Sequence, residues 1–311
     1  MAIEHACVEV VNKAWGRTDL RPWSDVDASH GAVGELWYQR IGRDAPRSKL
    51  LLKLLFTNEP LSIQVHPSDA FARSIGLPNG KTEAWYILSA TPEAQIAIGL
   101  KRHVTPQGLH GSIKDGSIAD LVQWRPVSKS DVIFVPAGTI HSIGAGVVLA
   151  EIQQRSDATF RLFDYGRQRE LHEDNAVAVS DAGPIQTQSS PRRLTVARTA
   201  LIESQYFVLE RIDLPANSRW ALNADLETWI LVLGGHARIG PTKASVGDTI
   251  FVEADHTSID VGPDGMNGLI AYPGPDLIIP LLQDFGEQTA VAVDTFTMRS
   301  SKRVKPVEQR P

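Results

Sequence analysis

The sequence predicts a mainly β protein made of two β-barrels, the second a degenerate copy of the first. Short stretches of alternating apolar and polar residues, such as residues 61–66, are separated by turns rich in glycine and proline. After residue 194 the chain stays strand-like and turn-rich, without a convincing long helix. Residues 223–262 also weakly repeat residues 79–145, which indicates an internal duplication.

The length of 311 residues suits two domains, or one large β domain. We place the first barrel at residues 1–185 and the second at residues 192–311, because residues 181–192 contain the glycine, prolines and serines typical of a linker. Residues 104–124 break the β pattern, with Thr105-Pro106 opening one helix and Ser117 capping a second. We interpret them as a small helical insertion in the first barrel.

Local signals predict the other elements of the first barrel. Residues 1–40 are irregular apart from a short strand at residues 34–38, and the apolar run at residues 49–57 indicates a buried strand. The remaining elements are, in order, a strand from Leu61, a helix from Asp69 to Ile75, and strands from Lys81, Asp131 and Val147.

The second half keeps only part of the pattern of the first. Residues 226–231 echo residues 82–87, and residues 247–252 echo residues 130–135. An ungapped alignment of the second pair places Ser258 where His141 stands, and no Gln-x-His precedes Glu227. The interpretation is a duplicated barrel in which the first copy alone keeps a set of ligands.

Composition and charge exclude several classes of function. Hydrophobic residues make up 42% and charged residues 22% of the chain, as in ordinary globular proteins, and the net charge of −5 lacks a basic block for nucleic acid or an acidic membrane. A single cysteine, Cys7, fits a reducing compartment. The amino terminus has no signal-peptide pattern, and no stretch approaches the roughly 18 apolar residues of a membrane span. We therefore expect a soluble cytoplasmic protein.

Four polar residues stand where predicted strands begin or face a barrel interior, namely Gln64, His66, Glu83 and His141. Each has a plain interpretation when taken alone. A Gln-x-His pair arises by chance, Glu83 suits a solvated strand edge, and His141 suits an ordinary hydrogen-bonded histidine. Two imidazoles, one carboxylate and one amide oxygen together indicate a site for one borderline-soft divalent ion per chain, such as zinc.

Residues 151–167 concentrate charge, with three arginines and three carboxylates among aromatic residues. Arginine forks bind phosphate or a developing oxyanion, but a surface ladder of salt bridges explains the same composition. Arg161 lies between the apolar Phe160 and Leu162, which fits a plain exposed face less well. The segment alone leaves both interpretations open.

Five segments resemble the type I phosphomannose isomerases, zinc enzymes built on the cupin-type (jelly-roll) β-barrel. The segments are Gly-Glu-Leu-Trp at 34–37, Leu-Ser-Ile-Gln-Val-His-Pro at 61–67, Gly-Lys-Thr-Glu-Ala-Trp-Tyr at 80–86, Val-Pro-Ala-Gly-Thr-Ile-His at 135–141, and residues 151–167. Their order and spacing agree with the short bacterial branch across residues 10–170, and the second barrel agrees more loosely. Longer members carry a large helical domain where this chain has only residues 104–124.

The resemblance implies a role for each matching residue. The metal ligands would be Gln64, His66, Glu83 and His141, the catalytic residue Arg161, and the residues lining the sugar-phosphate pocket Ser62, Lys81 and Arg167. The position of Arg167 often holds lysine in the family, and the short insertion leaves the outer wall of the pocket, and with it the exact sugar, open.

The implied activity is the interconversion of mannose 6-phosphate and fructose 6-phosphate, an aldose–ketose isomerisation through an enediolate. The enediolate needs fixed positive charge, which the metal and Arg161 would supply. Glu151 is the expected general base because it is a non-ligand carboxylate on the matching strand, and a water on the metal competes for that role.

Two other functions stay open. One is a different cupin metalloenzyme, such as an iron-dependent oxygenase, although such enzymes usually bind metal through two or three histidines and an acid, where this chain has Gln64. The other is a catalytically silent sugar-phosphate binder, against which the complete ligand set and Arg161 argue. We expect a small-molecule sugar phosphate as the partner, no nucleic acid or membrane, and a monomer or weak homodimer.

Overall fold

Three antiparallel β-sheets dominate the computed structural model, which describes residues 2–29, 31–41, 46–185 and 190–285. The mainly β fold class is therefore confirmed. Two of the sheets belong to the first half of the chain, and the third is built largely from the second half. No helix in the described part of the chain combines the length and apolar character that crossing a membrane requires.

A six-stranded sheet forms one wall of the first half. Its spatial order is β2 (Cys7–Arg17), β3 (Val33–Gln39), β4 (Leu50–Phe56), β11 (Val147–Gln154), β6 (Glu83–Ala90) and β9 (Val132–Val135). Every residue of β4 and β11 is buried, as the apolar run at residues 49–57 predicts. A strand that is covered on both faces needs no alternation of polar and apolar residues.

A five-stranded sheet forms the opposite wall. Its spatial order is β12 (Phe160–Phe163), β5 (Ile63–Val65), β10 (His141–Ile143), β7 (Gln95–Leu100) and β8 (Val122–Pro126). The strand expected from Leu61 has only the three residues of β5, and the strand expected from Lys81 begins at Glu83. Ser62, His66 and Lys81 thus lie just outside regular strands.

The ten-stranded sheet contains the second half of the chain together with the first strand. Its main path is β1 (Ala2–His5), β19 (Thr249–Glu253), β17 (Thr228–Ile239), β20 (Asp255–Pro273), β15 (Phe207–Leu214), β14 (Arg198–Glu203) and β13 (Arg192–Arg193). Beside that path, β16 (Arg219–Ala224) pairs with β20 and β21 (Leu282–Asp284), and β18 (Thr242–Ser245) pairs with β17. The expectation that residues 1–40 are mostly irregular is wrong, because β1 pairs with β19 and β2 pairs with β3.

Helices are few and short: α1 (Asp69–Ser74), α2 (Pro106–Asp115), α3 (Ile118–Leu121), α4 (Glu173–Val179) and a 3-10 turn at Ile279–Leu281. The hydroxyl of Thr105 accepts a hydrogen bond from the Gly108 amide at 3.1 Å, so it caps α2 as expected. Ser117 stands at the N-cap position of α3 as expected, but its side chain makes no capping hydrogen bond. The helical insertion ends at residue 121, because β8 begins at Val122.

The largest apolar core joins the two halves of the chain. Leu54 and Ile152 of the six-stranded sheet belong to the same buried cluster as Phe207 and Leu269 of the ten-stranded sheet. Burying one such side chain contributes about 1.5–3 kcal/mol, so this shared core gives the two sheets a substantial common stability. The proposed division between residues 185 and 192 stays a prediction, and part of the proposed linker, residues 186–189, lies outside the described residues.

A shared local feature supports the duplication. The indole N–H of Trp85 donates to Glu83 at 3.1 Å, and the indole N–H of Trp229 donates to Glu227 at 2.9 Å. In the second half this carboxylate has another task, since it accepts the backbone N–H groups of Lys49 and Leu50 at 2.5 and 2.9 Å. The glutamate of the second Glu-x-Trp therefore connects the ten-stranded sheet to the start of β4 through hydrogen bonds.

Candidate active site

A cavity of about 380 Å³ is lined by residues from both sheets of the first half. The five-stranded side contributes Ser62, Gln64 and Arg161, and the six-stranded side contributes Glu35, Lys53 and Glu151. Polar and charged side chains from two facing sheets thus meet around one space.

Strand register places Gln64 between His141 and Arg161. Gln64 of β5 lies directly opposite His141 of β10 on one side and directly opposite Arg161 of β12 on the other. Residues directly opposite each other in antiparallel strands project to the same face of the sheet. All three side chains therefore belong to one face, although up to 97 residues separate them in sequence.

The opposite wall holds two buried carboxylates together through one indole. Glu151 of β11 pairs with Trp85 of β6, two residues after Glu83. The Trp85 N–H lies 3.1 Å from Glu83 Oε1 and 3.2 Å from Glu151 Oε2. A single donor thus orients both carboxylates. Both are buried, and two carboxylates this close would repel each other if both were charged.

His66, Glu83 and His141 form a compact group of metal-binding side chains, with ligand atoms all within 4.8 Å of one another. The Nε2 atoms of His66 and His141 lie 3.4 and 3.5 Å from Glu83 oxygens. Each ring uses its Nδ1 on a backbone carbonyl, that of Ala158 at 2.8 Å and that of Thr139 at 2.9 Å. Such second contacts fix the ring orientation and leave the Nε2 lone pairs for a cation.

The donor set fits a divalent ion. Glu83 Oε2 is buried, and the Lys81 ammonium lies 2.7 Å away from it. The same ammonium lies 3.0 Å from His66 Nε2, so a positive charge already sits among these acceptors. Buried acceptors need a hydrogen-bond donor or a cation beside them, so this position suits a positive charge.

The side-chain amide of Gln64 can complete the set. Its Nε2 lies 3.3 Å from His141 Nε2, and its Oε1 accepts a hydrogen bond from the Ser62 hydroxyl at 3.0 Å. Rotating the amide by half a turn exchanges its nitrogen and oxygen, and Ser62 can then accept instead of donate. In that orientation the Gln64 oxygen would face the position of a cation.

Burial and charge set the protonation of this group. Burial, and then the Lys81 ammonium, lower the pKa of His66 to about 3, and burial also lowers the pKa of His141. Both imidazoles are therefore neutral, the form that binds metals, and their contacts to Glu83 are not ion pairs. Although burial alone would raise the pKa of Glu83, the Lys81 ammonium holds that pKa well below its usual range.

Glu151 differs from Glu83 in its protonation. Burial and then the Glu83 carboxylate raise the pKa of Glu151, and two ammonium groups oppose that shift. Lys53 lies 3.5 Å and Lys81 lies 4.0 Å from Glu151 Oε1. Glu151 is thus a buried carboxylate that takes up a proton more readily than Glu83 does.

Arg161 has a guanidinium group with spare donors at the cavity. Its Nη1 donates to the carbonyl of Glu170 at 2.7 Å, and its Nε is buried without a hydrogen-bond partner in the described part of the chain. The five N–H donors of a guanidinium suit an anionic oxygen.

The structure separates Arg167 from this cavity. Ser62, Lys81 and Arg161 line it, but Arg167 does not. Instead Arg167 donates to the carbonyl of Pro60 at 2.7 Å and to Asp164 at 3.1 Å. Its role in substrate binding stays a prediction.

Sequence reasoning missed several residues of the cavity wall, among them Lys13, Glu35, Lys53, Asp157, Arg169 and His172. For Lys53 a signal exists, because it is the one charged residue among the apolar residues 50–56 of a strand that is buried throughout. Its ammonium lies 3.5 Å from Glu151 and 3.6 Å from Glu35. A charge inside an apolar run predicts either a buried partner or a polar cavity.

Known proteins with similar sequences carry one activity. The chain is 35% identical over 205 residues to the mannose-6-phosphate isomerase ManA of Bacillus subtilis, covering 60% of this chain and 63% of that protein. It is 33% identical over 199 residues to the mannose-6-phosphate isomerase of Streptococcus mutans, covering 61% of this chain and 62% of that protein. These alignments span less than two thirds of each relative, and no family model matches the chain.

Solved structures extend the similarity to nearly the whole described chain. The crystal structure of the mannose 6-phosphate isomerase from Bacillus subtilis gives a TM-score of 0.74 at 24% identity, covering 87% of this chain and 99% of that one. A phosphomannose isomerase mutant from Salmonella typhimurium gives a TM-score of 0.69 at 15% identity, covering 88% of this chain and 100% of that one. The fold is therefore that of these isomerases.

Proposed function

We propose that this protein is a mannose-6-phosphate isomerase that interconverts mannose 6-phosphate and fructose 6-phosphate. One observation carries the proposal: Gln64 and Arg161 of one sheet and Glu151 of the other line one cavity, and Lys81 in its wall lies 2.7 Å from Glu83 of the His66, Glu83 and His141 group. Similarity to enzymes of that name supports it. The proposal includes one zinc ion per chain, a catalytic first barrel and a cytoplasmic location.

The metal ligands in this proposal are Gln64, His66, Glu83 and His141. Neutral imidazoles, a carboxylate and an amide oxygen are ligands that zinc accepts. When bound, the ion would polarise the sugar carbonyl as a Lewis acid. Lys81 stays beside Glu83 and, with Ser62 and Arg167, is assigned to the phosphorylated sugar.

The isomerisation moves one proton between adjacent carbons of the open-chain sugar. In the forward direction a base takes the proton from C2 of the aldose and returns it to C1, while a hydroxyl proton moves from the C2 oxygen to the C1 oxygen. We assign the role of base to Glu151. The Trp85 indole N–H lies 3.2 Å and the Lys53 ammonium lies 3.5 Å from its carboxylate oxygens. Its raised pKa brings it nearer to the range in which a general base is efficient.

Arg161 supplies fixed positive charge to the enediolate in this proposal. Arg161 lines the cavity, and the Glu170 carbonyl accepts only one of its five N–H groups, so other donors of the guanidinium can serve the anionic oxygen that forms during the reaction. A donor that is already in place costs no reorganisation in the transition state. Arg161 would therefore act on kcat more than on KM.

The test is turnover of mannose 6-phosphate by the purified full chain supplied with zinc, with fructose 6-phosphate measured as product. Glu151→Gln should lower kcat by about 10²–10⁴-fold with little change in metal content, the usual range for losing a general base. Lys49→Gln is a matched control, because its side chain is not among those lining the cavity. Binding of mannose 6-phosphate without turnover would instead support the silent binder, and oxygen consumption would support the oxygenase.

A further inference from the structure

His172 holds the backbone of Arg161 at both of its polar groups. The Arg161 amide donates to His172 Nδ1 at 3.1 Å, and the His172 amide donates to the Arg161 carbonyl at 2.9 Å. β12 is the edge strand of its sheet, so the outward backbone groups of Arg161 have no neighbouring strand to bind. His172 takes the place of that missing strand.

The hydrogen bond determines which ring nitrogen of His172 carries the proton. Nδ1 accepts from an amide, so the ring is neutral and its proton is on Nε2. The ring lines the cavity and makes no other hydrogen bond in the described structure. Burial and the Arg161 guanidinium lower the pKa of His172, which favours this neutral form.

The segment that carries His172 is itself anchored. α4 begins at the next residue, and the Ala176 amide donates to the His172 carbonyl at 2.8 Å. The helical insertion packs against α4, where His110 Nε2 of α2 lies 3.4 Å from Glu173. The residue that precedes α4 is therefore connected to the insertion through the helix.

The same segment also holds the side chain of Arg161. The Glu170 carbonyl, two residues before His172, accepts the Arg161 Nη1 at 2.7 Å. Residues 170–172 thus contact Arg161 at its amide, its carbonyl and its guanidinium. From residues 170–172, two of these contacts use backbone atoms, the Glu170 carbonyl and the His172 amide, and the third uses the imidazole.

We propose that His172 is a positioning residue for Arg161, whose neutral imidazole accepts the Arg161 amide and thereby aims the guanidinium into the cavity. This inference rests on the proposed function, in which Arg161 stabilises the enediolate. A misplacement of about 1 Å can cost roughly 10²-fold in rate, so the imidazole contact should be visible in turnover.

Two amide variants separate the hydrogen bond from the rest of the ring. In His172→Asn the side-chain oxygen can reach the position of Nδ1 and accept the Arg161 amide, whereas in His172→Gln the amide group extends to the position of Nε2. We expect His172→Gln to lower kcat by about 10-fold to 10²-fold, the upper value being the usual effect of a displaced catalytic group. The change in KM should be smaller. The asparagine variant should keep most of the activity, and both should keep their metal.

Hydrogen exchange of the Arg161 amide, measured by NMR, gives a readout that does not require turnover. Exchange should be faster in His172→Gln and in His172→Ala, which removes the ring, but close to wild type in His172→Asn. If the wild-type protein fails to isomerise mannose 6-phosphate, the proposed function fails while the exchange measurement still tests the contact. Unchanged exchange in the alanine variant, or equal loss of activity in the asparagine and glutamine variants, would overturn the inference.

Discussion

A buried ion pair in the ten-stranded sheet allows a quantitative test of the fold. The Arg198 guanidinium donates to both oxygens of Glu210 at 2.8 and 2.7 Å, and the two side chains are only 1% and 0% exposed. Arg198 also donates to the carbonyls of Ile279 and Ile278 at 2.6 and 2.9 Å, and Tyr272 donates to Glu210 at 2.5 Å. The pair therefore connects β14 and β15 with the chain that leads into β21.

Replacing Arg198 with methionine retains an unbranched side chain but leaves the Glu210 carboxylate with Tyr272 as its remaining donor. Breaking a buried ion pair by removing one partner costs about 3–5 kcal/mol of unfolding free energy. The double variant Arg198→Met with Glu210→Met should recover part of that loss, because it removes the unpaired charge but leaves the Ile278 and Ile279 carbonyls and the Tyr272 hydroxyl without these partners.

The assay is urea unfolding monitored by tryptophan fluorescence, with Arg192→Met as the matched control. Arg192 also contacts a glutamate, Glu203, at 2.9 Å, but those side chains are 57% and 39% exposed. An exposed pair contributes only about 0.2–1 kcal/mol. A loss below about 1 kcal/mol in Arg198→Met, no larger than in the control, would refute the reasoning.

Three further predictions concern the candidate site and its surroundings. Arg161→Ala should lower kcat by about two to three orders of magnitude with a smaller effect on KM and unchanged metal content, whereas a large rise in KM at constant kcat would assign Arg161 to phosphate binding. His141→Ala should lose bound metal and activity together while its circular dichroism stays unchanged, and full metal occupancy in elemental analysis would contradict its role as a ligand. Although burial would raise the pKa of Asp164, Arg169 and then Arg167 hold that pKa below its usual value, so its carboxylate stabilises the fold above about pH 4 and loses this effect as the pH falls through the folded pKa. The urea midpoint of Asp164→Asn should therefore be lower than wild type at pH 6, with a difference that shrinks toward pH 3, and a difference independent of pH would count against this pairing.

Local signals in the sequence were enough to predict several elements and to single out the candidate metal ligands. The apolar run at residues 49–57 predicts β4 because a strand covered on both faces tolerates few polar residues. Thr105-Pro106 predicts the start of α2 because the cap and the first turn depend only on neighbouring residues. Gln64 and His141 stood out for their positions at predicted strands, and the structure brings them together.

These local signals could not predict the pairing of strands that lie far apart in the sequence. Nothing near residues 2–5 indicates that β1 pairs with β19, because the pairing depends on a strand about 250 residues away. α4 was not expected, since its seven residues include a single buried one, Ala176, and so show little helical periodicity. His172 gave no signal because its partner is a backbone group, the amide of Arg161, which the sequence does not reveal.

The difference between Arg167 and Arg169 shows where sequence ends and tertiary structure begins. The crowding of arginines and carboxylates into residues 151–167 is visible in the sequence alone, and so are the candidate metal ligands. The tertiary structure then places Arg169 in the cavity wall and directs Arg167 to the carbonyl of Pro60. A turn at Tyr165 and Gly166, whose φ angles of 52° and 81° are left-handed, precedes both arginines. Residue type is a local property that the sequence states directly, whereas direction results from the packing of distant strands around a common core.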